Sequence, residues 1–426
     1  MKRLLIISPH FAPVNAADMQ RVRMSLPYFA STGWEAEVVM VHEQYVDMVK
    51  DPLLLESIPH NIPIHKVKAL SKKWTSKLGL GSLALRSLWF YRHKVNQLLS
   101  QNRFDLIYFS TTEFPVAILG AYWKRKFGVP YVIDMQDPWH SDYYQKKPKA
   151  ERPKKYWFSY RLHKYLEPKA MKQVDGLISV SKSYLDTLHE RYPILKSKPA
   201  AVITFGAFDI DFTLAAQHTK QLRPIYQKED GSVNLVYVGR GGFDMQKAAT
   251  LLFSSFKRGL DEQPELFSQV KMHFIGTSYA PRGQGIATIA PIGAATGVAS
   301  YVTEHTDRIG FYQSIGNLQQ AHGLLLLGSD QAAYTASKLY PYILAKKPLL
   351  ALLHPQSSAA SIMKQCKAGQ LIALDKPENA FEILVAYLQG IKKGTAIQTD
   401  WTEFEAYTAR YLTNRQAELF NQVITP

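Results

Sequence analysis

The sequence predicts an α/β chain made of two parallel-sheet domains. Three observations carry this. A strand–loop–helix opening occurs twice, about 230 residues apart. Residues 3–8 run apolar into a Pro-broken loop and a helical pattern, and residues 234–238 run into Gly239, Arg240, Gly241, Gly242 and another helix. Short apolar runs alternate with helical patterns, the order of β–α units. Many of the runs are apolar at every position, as in strands covered on both faces. Two such domains are expected to face each other across a cleft, with ligands beyond the carboxyl ends of the strands.

The chain has 426 residues and 46% hydrophobic content, enough for two cores. Expected strands in the first half are 3–8, 38–41, 62–67, 105–109, 131–134, 176–180 and 201–204. In the second half they are 234–238, 270–275, 323–327, 349–353 and 370–373. The clearest helix covers 82–99, with Leu85, Leu88, Trp89, Val95 and Leu99 as its apolar stripe. Two stretches break the rhythm. Residues 142–172 mix lysines with tyrosine and tryptophan. Residues 280–300 are rich in Gly, Ala and Pro and read as a mobile loop. Residues 401–423 read as one last helix. The expected boundaries are 1–205, 206–400 and 401–426.

Charge is uneven. The net charge is +16, of which residues 1–200 carry +14. Between Glu56 and Asp105 there are nine bases and no acid. Such a field attracts phosphate, whether of a nucleotide, an anionic lipid or a nucleic acid. Nucleic acid is the least expected of these, because no RNA- or DNA-binding motif is present. A single cysteine, Cys366, excludes an intrachain disulfide and a Cys-based zinc cluster. The histidines show no ligand spacing, so no metal is expected. The first apolar run is too short for a secretory core, which points to a cytoplasmic protein.

Three motifs carry chemistry. Gly239, Arg240, Gly241 and Gly242 follow a strand and precede a helix. Glycines let backbone amides approach a phosphate, and an arginine can fork two of its oxygens. The alternative is a plain Gly-rich turn. Ser337 and Lys338 precede a short helical pattern, which Ser337, or Tyr340 ahead of Pro341, would cap. A lysine at that end repels the helix dipole unless an anion is bound. Between Asp134 and His140 lie Gln136, Asp137 and Trp139, a mixture of acceptors, donors and an apolar face suited to sugar hydroxyls. Asp137 could equally be a turn residue before Pro138.

Taken in order, these pieces resemble the GT-B glycosyltransferases, and among them the family 4 group of retaining, nucleotide-sugar-dependent enzymes. The resemblance rests on the 8–18 loop followed by Gln20 and Arg21, on Gly33 to Val38, and on the Asp137-Pro138-Trp139 signature. It continues through Ile178 to Ser181, Tyr237 to Arg240, and 308–327. It implies two Rossmann-like domains, with the last helix returning to the first. The second domain would bind the donor through Gly239, Arg240, Lys247, Ser337 and Lys338. Lys247 lies seven residues after Arg240, where five is usual. The first domain would hold the acceptor. Asp137 and Gln136 fall near the family's usual His-Asp pair on the acceptor side, Asp137 or Asp134 would orient the acceptor in catalysis, and Asn15, Ala16 and Arg21 fall in the first cleft loop. The family's two glutamates fall at Ala333 and Pro341.

The implied activity is transfer of a sugar from a nucleotide diphosphate donor to a sugar or lipid-linked acceptor, with retention and with no cofactor or metal. Cell-surface polysaccharide or glycolipid synthesis is the expected setting. The basic first half suggests a peripheral place on the inner face of the cytoplasmic membrane. The missing glutamates keep a catalytically inactive, nucleotide- or glycan-binding subunit open as the alternative.

Overall fold

The computed structural model describes residues 1–142, 145, 148–149, 152, 155–227, 229–332, 338–395 and 398–425. The chain divides into two compact units, Met1–Gly206 with Ala409–Pro426, and Ala207–Thr408. Among the described residues the first unit holds seven strands: β1 (Lys2–Ile7), β2 (Trp34–Val41), β3 (Ile64–Val67), β4 (Leu106–Ser110), β5 (Tyr131–Met135), β6 (Gly176–Ser179) and β7 (Ala200–Val202). Their order is β3-β2-β1-β4-β5-β6-β7, and every pair is parallel. The second unit holds β8 (Val233–Val238), β9 (Val270–Ile275), β10 (Val302–His305), β11 (Gly323–Leu327), β12 (Leu349–Leu353) and β13 (Gln370–Ala373). Their order is β10-β9-β8-β11-β12-β13, again all parallel.

The all-apolar runs are where they were expected. Every residue of β4, β5, β11 and β12 is buried. The expected strands omit β10, whose Thr303, Glu304 and His305 carry no apolar pattern. It is an edge strand held by its ladder to β9. Glu304 also corrects the reading of 280–300 as a mobile loop. Its carboxylate accepts from the amides of Thr288, Ile289 and Ala290 at 3.1, 2.9 and 2.7 Å, and from Thr277 Oγ1 at 2.6 Å. That anion pins the start of a helix, Ala290–Ala295, inside the segment.

The helix Leu83–Gln101 is capped by Ser82, whose Oγ accepts from the Leu85 amide at 3.3 Å. Its buried face is Ala84, Ser87, Tyr91, Val95 and Leu98, which shares only Val95 with the expected stripe. Tyr91 OH bonds to Val39 O, and Arg86 turns inward to the carbonyls of Leu70 and Tyr45. Trp89 is left 68% exposed.

The single expected helix over 401–423 is two. Trp401–Phe404 belongs to the second unit. Thr408 is extended, at φ −75° and ψ 150°, and breaks the run. The helix Ala409–Ile424 then packs in the first unit. Its Phe420 ring lies 5.0 Å from Tyr108 and 5.7 Å from Trp34, and Gln416 Nε2 donates to Ser25 Oγ at 2.9 Å.

Candidate functional site

In each sheet the strand order reverses beside the first strand, at β1/β4 and at β8/β11. Ligands of doubly wound sheets bind at the carboxyl ends of the strands at such switch points. Both units place their polar clusters there.

In the first unit Asp18 bridges the two strand ends. Its carboxylate meets His10 Nδ1 at 3.1 Å, Thr111 Oγ1 at 3.0 Å and the Thr112 amide at 3.1 Å. Burial pushes the Asp18 pKa up, but the bond to His10 and its charge, with the threonine donors, outweigh burial and leave it below the usual value. Burial pulls His10 down, but Asp18 and then Glu113 raise it above 6.5. The pair sits just beyond the end of β1.

Beneath it Asp134, fully buried on β5, accepts on one oxygen from Arg21 Nε at 2.6 Å, Ser110 Oγ at 2.9 Å and Gln136 Nε2 at 2.9 Å. Arg21 uses its other nitrogens on the carbonyls of Thr204 and Ile203, at 3.0 and 2.7 Å. These two residues are therefore an internal ion pair that ties the helix Gln20–Phe29 to the chain leaving β7. Both are buried, and Asp134 Oδ1 has no hydrogen-bond partner among the described residues. Gln136 is also buried, but its Oε1 has no hydrogen-bond partner among the described residues. Asp137 is exposed. Partial desolvation and then the charge of Asp18 raise its pKa. Ala16 is buried, and the half-buried Asn15 gives its amide to Val49 O at 2.8 Å. Sequence reasoning missed His10, Asp18 and the two threonines. The 8–18 loop was singled out, but nothing in it shows which side chain reaches across to β4.

In the second unit β8 ends in Tyr237, Val238, Gly239 and Arg240. Gly239 has φ +149°, and a Cβ there would lie 2.7 Å from Lys338 Nζ, so only glycine fits. Lys338 Nζ donates to Tyr237 OH at 2.5 Å and sits 4.6 Å from that ring's centre. Desolvation and then the nearby Arg240 guanidinium lower its pKa to about 7, against a weaker pull from Asp244. Arg240 forks the Asp244 carboxylate at 2.9 and 2.8 Å. Tyr342 OH closes the strand end, accepting from Val238 N at 2.6 Å and donating to Val238 O at 3.1 Å.

The structure thus brings Gly239, Arg240 and Lys338 together. Lys247 is exposed on the first turn of the helix Gln246–Glu262, apart from this contact set. Ser337 and Ala333 lie outside the described residues. Pro341 is the third residue of the helix Leu339–Leu344, so the expected Tyr340 cap is replaced by Lys338 at that place. Tyr237, Asp244 and Tyr342 were missed as site residues, since an apolar strand and a plain helix hide them. Among the described residues no group of three His, Cys, Asp or Glu is placed to hold a metal ion.

The comparisons with known proteins agree with this frame. Residues 65–206 match the family described as Glycosyltransferase Family 4. No curated protein matches the sequence. Among solved structures, the Candida albicans trehalose-6-phosphate phosphatase N-terminal domain is similar, at 12% identity and a TM-score of 0.60, covering 99% of this chain and 97% of that one. Anabaena Alr3699/HepE in complex with UDP-glucose is 13% identical, with a TM-score of 0.58 and coverage of 99% and 100%. Sucrose-phosphate synthase from Thermosynechococcus elongatus is 12% identical, with a TM-score of 0.57 and coverage of 99% of each chain. At such identities the likeness shows the fold: two Rossmann-like parallel-sheet domains of the GT-B type. Together with the family match it supports a glycosyltransferase.

Proposed function

We propose that the chain transfers a sugar, with retention, from a nucleoside diphosphate donor to an acceptor hydroxyl, and that it needs no metal or cofactor. UDP-glucose, which the HepE structure holds, is the first donor to try. One observation carries the reading: a desolvated Lys338, packed against Gly239, and the Arg240 guanidinium meet at the end of β8. A diphosphate there supplies the negative charge that Lys338 lacks. As the glycosidic bond to the donor breaks, the same two cations stabilise the charge gathering on the leaving diphosphate. On the acceptor side, the exposed Asp137 carboxylate is an acceptor for a sugar hydroxyl.

The test is acceptor-dependent release of UDP from UDP-glucose, across a panel of sugars and lipid-linked sugars, with Lys338→Met as the control. Pro341, standing where the family has a glutamate, favours the second reading, a non-catalytic binding subunit. UDP that binds but is never released from the donor across the panel would support that reading. No nucleotide binding at all would end the transferase reading and leave only a glycan-binding subunit.

The setting we propose is an anionic membrane carrying lipid-linked acceptors for cell-surface polysaccharide or glycolipid. In the first unit Trp74 and Trp157 are 74% and 65% exposed, with Lys77 Nζ 5.3 Å from the Trp74 ring and Arg161 5.7 Å from that of Trp157. Lys155 Nζ bonds Ser76 O at 2.9 Å, which joins the two segments into one basic, aromatic surface. Among the nine acid-free bases, Lys66 and Lys72 pair with Glu43 and Asp47, and Arg86 is buried. Lys73 and Lys77 are therefore the better substitutions for a vesicle-binding assay. Equal sedimentation with neutral and anionic vesicles at low salt would remove the membrane from the account.

A further inference from the structure

The glycine turn after β8 is covered by side chains of its own unit. A Cβ on Gly239 would lie 2.7 Å from Lys338 Nζ, and a Cβ on Gly242 would collide with Asp244 Oδ1 and Arg240 Nη1. The space that glycine leaves beside the backbone is therefore filled, at one end by a lysine and at the other by an arginine–carboxylate pair. A larger residue at 242 would push that pair off the loop. Asp244 itself has a fixed base. It lies in the turn Phe243–Met245, and its carbonyl accepts from the Asp330 amide at 2.9 Å, which ties it to the chain leaving β11.

The Asp244 carboxylate stands where a bound anion would stand. It takes both Nη atoms of Arg240, one oxygen to each. That edge of a guanidinium matches two oxygens of a carboxylate and of a phosphate alike. Burial raises the Asp244 pKa, but the bond to Arg240 and its charge outweigh burial and hold it below the ordinary value, so the group is ionised at neutral pH. Its charge is also felt at Lys338, against the larger and opposite effect of Arg240. One internal anion thus serves two cations. The pair is not locked in: the two side chains are 31% and 22% exposed, so it can open without unfolding the loop. An incoming diphosphate meets Asp244 twice, as the holder of the Arg240 edge and as a like charge.

We propose that Asp244 is a resident counter-ion which the donor's diphosphate must displace from Arg240. The inference rests on the transferase reading above and gives the two partners opposite roles: Arg240 tightens the diphosphate and Asp244 loosens it.

The test is calorimetry with UDP on the full chain, comparing wild type, Asp244→Asn, Arg240→Ala and the double variant. Asp244→Asn should tighten UDP by about three- to fivefold, the worth of a partly exposed ion pair. Asp244→Ala, which leaves no amide to bond Arg240, should shift affinity the same way. In the Arg240→Ala background the Asp244→Asn change should give little or no gain, because the bond to be displaced is gone. A carboxylate that merely props Arg240 in place gives the reverse sign, weaker UDP binding in both Asp244 variants. If UDP binds wild type but Asp244→Asn weakens it or leaves it unchanged, or if the gain persists in full without Arg240, displacement is wrong and the transferase reading stands. If UDP binds none of the four proteins, the diphosphate site fails and this inference fails with it.

Discussion

The two switch points treat charge differently. In the first unit the buried charges find partners inside the chain, Arg21 in Asp134 and Asp18 in His10 and Thr111. In the second, Arg240 shares a half-exposed Asp244, while Lys338 is desolvated beside a neutral tyrosine hydroxyl and a second cation. Compensated charge holds a fold together. A cation drawn to a pKa of about 7 holds a place for an anion. The difference separates residues that build the site from residues that meet the ligand, although both sets occur in the same polar motifs.

The largest expected effect tests the first half of that contrast. Asp134→Ala leaves Arg21 buried without its counter-ion and should cost about 3–5 kcal/mol in urea unfolding. A loss under about 1 kcal/mol would show that Asp134 is not structural. The next tests the second half. Arg240→Ala should weaken UDP about tenfold or more, since a charge-assisted hydrogen bond is worth roughly 1.5–3 kcal/mol, with little change in stability. Unchanged affinity by calorimetry would take Arg240 out of the site.

A smaller effect appears in pH dependence. The folded pKa of Lys338, about 7, lies below its ordinary 10.5, so the unfolded chain binds more protons between those values. Without ligand, stability should therefore rise with pH across that window, and Lys338→Met should flatten the rise. Equal slopes for the two proteins would mean that Lys338 is not desolvated. The smallest effect is Asp244→Ala. Its ion pair with Arg240 is partly exposed and should be worth less than about 1 kcal/mol in thermal unfolding. A larger loss would make Arg240–Asp244 a structural pair like Arg21–Asp134 and blur the contrast.

Most of the sheet architecture was legible because parallel strands buried on both faces leave apolar runs. The runs at β9, β11, β12 and β13 match the strands residue for residue. β10 was hidden because an edge strand needs no such run. Trp89 was misplaced because the inward face of its helix is carried by Tyr91, Ser87 and a buried arginine, which no hydrophobic count rewards. Gly239, Arg240 and Lys338 were legible through local chemistry, a glycine turn and a cation at a helix start. The settled charges were not. Asp18 meets Thr111, and Arg21 meets Asp134, 93 and 113 residues away along the chain, and only the strand order brings them together.

The central claim is that a nucleoside diphosphate supplies the charge Lys338 lacks. Proton uptake on UDP binding tests it most directly, by calorimetry in buffers of different ionisation enthalpy at about pH 8. There a terminal phosphate, with a pKa near 6, is already ionised, while Lys338 is largely neutral. UDP should bind with net uptake of a proton, and Lys338→Met should bind more weakly with no uptake. Uptake that is identical in wild type and Lys338→Met, or UDP binding with none, would contradict the account.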